Sequence, residues 1–167
     1  LERAGKADRT ELCDLNTEPE VRGAGCSFLL RQRHLPYQDL LLLMISVSDN
    51  LATNLVIKRI GLTRLQEVFR DELRLKSTVC GRKLMDYDAR SRGIDNWVSG
   101  EEAILFYELI DRLSDEEKSW VEPMFLVNTD DYLFKRNLRA DSVEFYHKTG
   151  SINRVLHDWG YTRQEKL

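Results

Sequence analysis

Long apolar runs are missing from this sequence. The longest, Leu40 to Ile45, holds six residues, well short of the roughly 18–20 that a membrane-spanning helix needs, so the chain carries no such span. Cysteine is scarce: Cys13, Cys26 and Cys80 show no metal-ligand spacing, cannot all pair within the chain, and set no redox compartment. No metal or other cofactor is implied. A basic excess is absent too, with 25 Lys and Arg against 28 Asp and Glu and a net charge of −3, which argues against a nucleic-acid binder. There is no internal repeat, no low-complexity tract, and no basic stretch followed by an apolar one of the kind that makes an export signal. What remains is an ordinary folded composition, 42% hydrophobic and 32% charged over 167 residues. That length suggests one domain, burying roughly 70% of the unfolded chain's surface if it folds alone.

Leu1 to Gly5 reads as the last turn of a helix stopped by Gly5, and Arg163 to Lys166 as a charged tail, so the expectation is a piece of a longer protein. Residues 6 to 35, broken by Pro19, Gly23 and Gly25, read as an irregular surface excursion. Pro36 then opens a helix whose run Tyr37 to Ile45 is apolar around most of its circumference, the pattern of a helix buried on several sides. Ser46-Val47-Ser48 interrupts it. A second helix carries Leu51, Leu55 and Val56 and ends at Gly61, and Thr63 with Gln66 has the spacing of a capping box for a third. From Arg74 to Val98 no period persists, which predicts a long ordered loop. Ser99 with Glu102 and Ser114 with Glu117 are two more capping boxes, each opening a helix of about fifteen residues. Near Ser142 the period changes to that of a strand, Val143, Phe145 and His147 alternating with Glu144, Tyr146 and Lys148, and Val155 to Trp159 reads as the returning strand of a hairpin. Two strands are marginal alone in water, so the hairpin needs further partners.

Chemistry concentrates in two strings. Ser48-Asp49-Asn50 lies at the break between two buried helices, where side chains can converge on a cleft. Lys148-Thr149-Gly150, followed by Ser151, ends the first hairpin strand. Either string alone is ordinary: the first is also a plain helix-cap cluster and the second a plain strand end. Their ordered occurrence about a hundred residues apart, with a loop and two helices between, is specific. Together they resemble the S-D-N and K-T-G motifs of class A β-lactamases and penicillin-binding proteins. The flanks Met44 to Leu55 and His147 to Ile152 are similar as well, and the resemblance covers roughly residues 1 to 160.

The resemblance implies an α+β fold of the β-lactamase/transpeptidase kind. Residues 1–141 would form a helical domain holding Ser48 and an Ω-like loop, and residues 142–167 the Lys148 strand and hairpin of an otherwise missing α/β sheet. It implies acyl transfer from a β-lactam or a peptidoglycan-like peptide, outside the cytoplasmic membrane. A hydroxyl both donates and accepts, so Ser48 can relay a proton. Lys148 assists that transfer and attracts a substrate carboxylate. Thr149 and Ser151 offer hydroxyl donors, Gly150 allows close approach to the strand edge, and Asn50 can hold a side-chain amide of the substrate while Asp49 braces the helix start.

Two departures qualify this. None of the ten serines is followed by lysine three residues later, so the Ser-x-x-Lys nucleophile of the family is not in the chain. The missing part is expected immediately before residue 1, making the missing segments of the same fold the chain's natural partners. Class A enzymes also use an Ω-loop glutamate to activate the deacylating water, yet no Glu occurs between Glu72 and Glu101. Asp86, Asp88 and Asp95 are the carboxylates there, and Asp88 is the best positional candidate for a base. Three readings follow: a fragment of a β-lactamase-like serine hydrolase, a penicillin-binding protein or D,D-peptidase relative, and a non-catalytic binding module on the same fold.

Overall fold

The computed structural model describes residue 5, residues 7–138 and residues 143–163. The helix end expected at residues 1–5 and the charged tail beyond Arg163 lie outside the described residues, apart from Gly5 itself, whose φ is +64°.

The first segment is not a surface excursion. Strand β1 (Leu12–Asp14) pairs antiparallel with β2 (His34–Pro36), and short 3-10 turns occupy Leu15–Thr17 and Ser27–Leu29. Leu15 is fully buried against Leu40 and Leu51, and Val21, Phe28 and Leu35 pack on the same cluster. Period-based reading fails there because the strands are only three residues long and the burial is contributed singly.

Helix α1 (Tyr37–Ser46) starts directly after Pro36, whose fixed φ suits a helix entry. Helix α2 (Asn50–Ile60) is capped by the Asp49 carboxylate and ends at Gly61, at φ +84°. Helix α3 (Leu62–Glu67) follows without a linker and passes into a π-helical turn at Val68–Glu72. Thr63 therefore falls inside the first turn of α3 and caps nothing, because Gly61 ends one helix and begins the next. The packing of α1 on α2 buries Leu40, Leu51, Ala52 and Leu55 to 1% exposure or less. Each leucine so buried contributes roughly 1.5–3 kcal/mol.

Residues 74–98 form an ordered loop with small elements in it. Strand β3 (Val79–Cys80) pairs with β4 (Asn96–Trp97), and a short helix α4 (Tyr87–Ser91) lies between them. Helices α5 (Gly100–Asp111) and α6 (Asp115–Leu126) have the caps expected of them, Ser99 and Ser114. Only Ser114 completes a reciprocal box; Glu102 instead accepts from Ser77 N and Thr78 Oγ1 at 2.7 and 2.6 Å and ties the loop to α5.

Strands β5 (Glu144–Ile152) and β6 (Val155–Arg163) make the hairpin, with Lys148 opposite Trp159 and Gly150 opposite His157. It rests on α5 and α6 through Ile110, Phe125 and Tyr146, a second core that Ile45 of α1 joins. Tyr146 stacks on Tyr161 at 5.1 Å, and Tyr107 donates to Trp159 O at 2.5 Å. Helix α1 thus touches both cores, which is why its sequence is apolar nearly all round. The sides of Leu41 and Met44 face neither core; they line an apolar groove of about 290 Å³ between α1, α5 and α6.

Candidate active site

An open cleft of about 730 Å³ lies between the α1–α2 junction, strand β5 and the 74–98 loop. Ser48 sits at the junction with φ +54°, a conformation costly for a residue with a Cβ. The neighbouring Asp49 holds it there. Its carboxylate is fully buried and accepts from Cys26 N, Ser27 N, Ser27 Oγ and Ala52 N at 2.6–2.8 Å. Gly25 is what permits this approach: a Cβ there would lie 2.2 Å from Asp49 Oδ2.

Lys148 reaches Ser48 from the opposite side of the cleft. Its Nζ donates to Ser48 Oγ and, at 2.7 Å, to Thr149 O. An ammonium has no acceptor to offer, so Ser48 Oγ takes the hydrogen bond from lysine and its own proton can point into the cleft. Burial lowers the pKa of Lys148, while Asp130 and Asp158 pull it back up. Gly150 is again a matter of space, since the His157 ring lies where its Cβ would be, 2.3 Å from Cε1. The adjacent His147 is fully buried, with Nδ1 2.8 Å from Asp158 Oδ1 and Nε2 without a hydrogen-bond partner. It belongs to the packing behind the strand rather than to the cleft.

Of the residues singled out in the sequence, Ser48, Asn50, Lys148, Thr149, Gly150 and Ser151 all line this cleft. Asn50 donates its Nδ2 to Arg22 O at 2.9 Å, so part of its amide is already engaged. Asp88 is not brought in. It is exposed on α4 and does not line the cleft, whereas Arg82, Leu84, Met85, Tyr87 and Arg90 of the same loop do. Leu84 is held by Asn54 of α2, whose amide both donates to Leu84 O at 3.1 Å and accepts from Leu84 N at 2.8 Å. The remaining loop carboxylates are committed elsewhere. Asp86 caps α4, and Asp95 pairs with Arg82 at 2.7 Å and Arg90 at 3.2 Å.

Sequence reasoning missed Asp130. Its Oδ2 accepts the hydroxyl proton of Thr149, and it is the one carboxylate lining the cleft among the described residues. No motif marks it. The signal available was the polar string Asn128-Thr129-Asp130 directly after an amphipathic helix.

Comparison with known proteins finds similar folds. The β-lactamase from Sphaerobacter thermophilus DSM 20745 is similar in structure, with a TM-score of 0.82 at 24% identity over 97% of this chain and 63% of its own. PBP-A is similar at a TM-score of 0.83 and 24% identity, over 97% of this chain and 60% of its own. A mutant of PBP-A, solved as its acyl-enzyme complex with penicillin G, matches at a TM-score of 0.83 and 23% identity, over 97% of this chain and 61% of its own. The chain thus has the β-lactamase/transpeptidase-like fold and spans about three fifths of the length of these structures. No curated protein matches it. The sequence itself matches the model of one family, the Beta-lactamase enzyme family, over residues 2–166, and the chain belongs to that class A β-lactamase-like family.

Proposed function

We propose that this chain provides the proton-relay and substrate-positioning half of a β-lactamase-like serine hydrolase, and that the nucleophilic serine is carried by polypeptide outside it. The observation that carries the reading is the contact of Lys148 Nζ with Ser48 Oγ across the cleft, between residues 100 apart in sequence. Ser48 gives its proton to the leaving nitrogen of the amide and takes up in exchange the proton released by the attacking serine, Lys148 stabilises the charge that develops during that transfer, and Asn50, Thr149, Gly150 and Ser151 hold the substrate against strand β5. Residues 143–163 are then the described part of an α/β unit, and the helices before them a separate helical unit.

The groove between α1, α5 and α6 fits this division. Its lining is wholly apolar, and it shares Met44 and Ile45 with the cleft. An apolar helix bearing Ser-x-x-Lys and seated there would end beside Ser48. Family resemblance places such an enzyme outside the cytoplasmic membrane; among the described residues no helix is long and apolar enough to cross one.

One observation favours a penicillin-binding protein or D,D-peptidase relative over a fast hydrolase. The 74–98 loop presents Arg82, Leu84, Met85, Tyr87 and Arg90 to the cleft and, among the described residues, no carboxylate to serve as base for a deacylating water. Intact-protein mass spectrometry after exposure to penicillin G tests both readings, on this chain and on a longer polypeptide that supplies Ser-x-x-Lys. The expected result is no adduct on the chain alone and a long-lived adduct on the longer polypeptide. An adduct on a serine of this chain overturns the division of labour, rapid loss of the adduct restores the hydrolase, and no adduct in either leaves a binding module.

A further inference from the structure

The end of the cleft formed by Lys148 and Thr149 offers an ammonium and a hydroxyl, groups suited to a carboxylate. Here, however, the hydroxyl is already given to Asp130. Asp130 is held firmly in place. Asn128 Oδ1 accepts from Asp130 N at 2.9 Å, Asn128 Nδ2 donates to Ile45 O at 3.0 Å, and Thr129 N donates to Ser46 O at 3.0 Å. The loop after α6 is thereby stitched to the last turn of α1, two residues before Ser48. Among the described residues the other cations on the cleft walls, Arg82 and Arg90, are both paired with Asp95. Charge at this end is therefore balanced between Lys148 and Asp130 rather than cationic.

A ligand carboxylate bound at Thr149 would set one oxygen toward Lys148 and the other against the Asp130 carboxylate, a like-charge contact that penalises binding. A primary carboxamide has the opposite complementarity: its carbonyl accepts from Lys148 and its N–H groups donate to Asp130. We infer that Asp130 is a specificity-determining residue of the cleft, selecting at the Lys148–Thr149 end a substrate that bears a terminal carboxamide in place of a free carboxylate. The inference rests on the acyl-transfer reading above and names the substrate class for the same site.

Isothermal calorimetry on the full chain tests it with two probes, penicillin G and its primary carboxamide. The native chain is expected to bind the amide at least ~10-fold more tightly than the acid, and Asp130→Asn to bring the two within about twofold by weakening the amide and strengthening the acid. A residue that merely braced the loop would weaken both probes together and leave their ratio unchanged, which overturns the inference. Equal affinities or an acid preference in the native chain also overturn it, and that comparison stands even if Asp130→Asn fails to fold. Binding of neither probe overturns the acyl-transfer reading and this inference with it, whereas binding of both without discrimination overturns this inference alone.

Discussion

The two walls of the cleft are each anchored by a buried ionisable group, and the anchors differ in kind. On the wall of Ser48 the anchor is Asp49, fully buried and satisfied by three backbone N–H groups and one hydroxyl. On the loop wall it is the pair of Arg82 and Asp95, whose side chains are 8% and 20% exposed. A carboxylate bound to backbone donors fixes the main chain directly. An ion pair fixes two side-chain ends, and among the described residues the backbone between them is tied to α2 only at Leu84, through Asn54. The difference teaches that the wall carrying the Ser48 hydroxyl is built for positional accuracy, while the opposite wall is a clip more easily opened.

The largest expected effect comes from Asp49→Ala, which leaves four donors without their acceptor, three of them in buried surroundings. It should lower the unfolding free energy by about 3–5 kcal/mol, read from urea denaturation midpoints. Arg82→Ala should cost less, about 1–3 kcal/mol, because Asp95 keeps some solvent and Arg90. Its effect should be local, with hydrogen exchange accelerated within residues 83–94 and unchanged in α2. If both variants loosen the whole fold alike, the contrast between the walls disappears.

A sharper probe separates the strain at Ser48 from its hydrogen bond. Ser48→Ala and Ser48→Gly both remove the hydroxyl, but only glycine adopts φ +54° without a Cβ clash. The glycine variant should therefore be about 0.5–1 kcal/mol more stable than the alanine variant by denaturation, the left-handed penalty less glycine's extra chain entropy. Equal stabilities would mean that the junction relaxes and that Asp49 does not hold it.

The smallest effect is a slope with pH. Burial depresses the Lys148 pKa below its unfolded value near 10.5, so between the two values the unfolded chain binds more protons. Stability contributed at this site therefore rises as pH climbs through the lowered pKa toward the unfolded one. Comparing the native chain with Lys148→Met removes the background of other groups. The native chain should gain on the variant as pH rises toward 10.5, and a difference that stays flat would mean the ammonium is solvated.

The sequence made legible whatever is local. Ser99 and Ser114 announce their helices because a cap is a contact across three residues. Ser48 and Lys148 were legible as a pair only through family resemblance, because nothing in their own neighbourhoods relates them. Asp130 was invisible for the opposite reason: its place is set by Asn128 and Thr129 reaching back 83 residues to Ile45 and Ser46, which no periodicity records. Asp88 was chosen on loop position, which does not record that it is exposed and outside the cleft lining. The short strands at residues 12–14 and 34–36 were missed because three residues are too few to express a period.

The separation of 100 residues between Ser48 and Lys148 also bears on timing. During synthesis the chain can complete α1, α2 and the Asp49 cap long before the lysine has been made, so the junction exists for a time as a bare scaffold. Closing so long a loop is paid for in entropy only when β5 docks on α6 and α1. The Ser48–Lys148 contact is consequently a property of the finished fold, and no shorter nascent chain displays it.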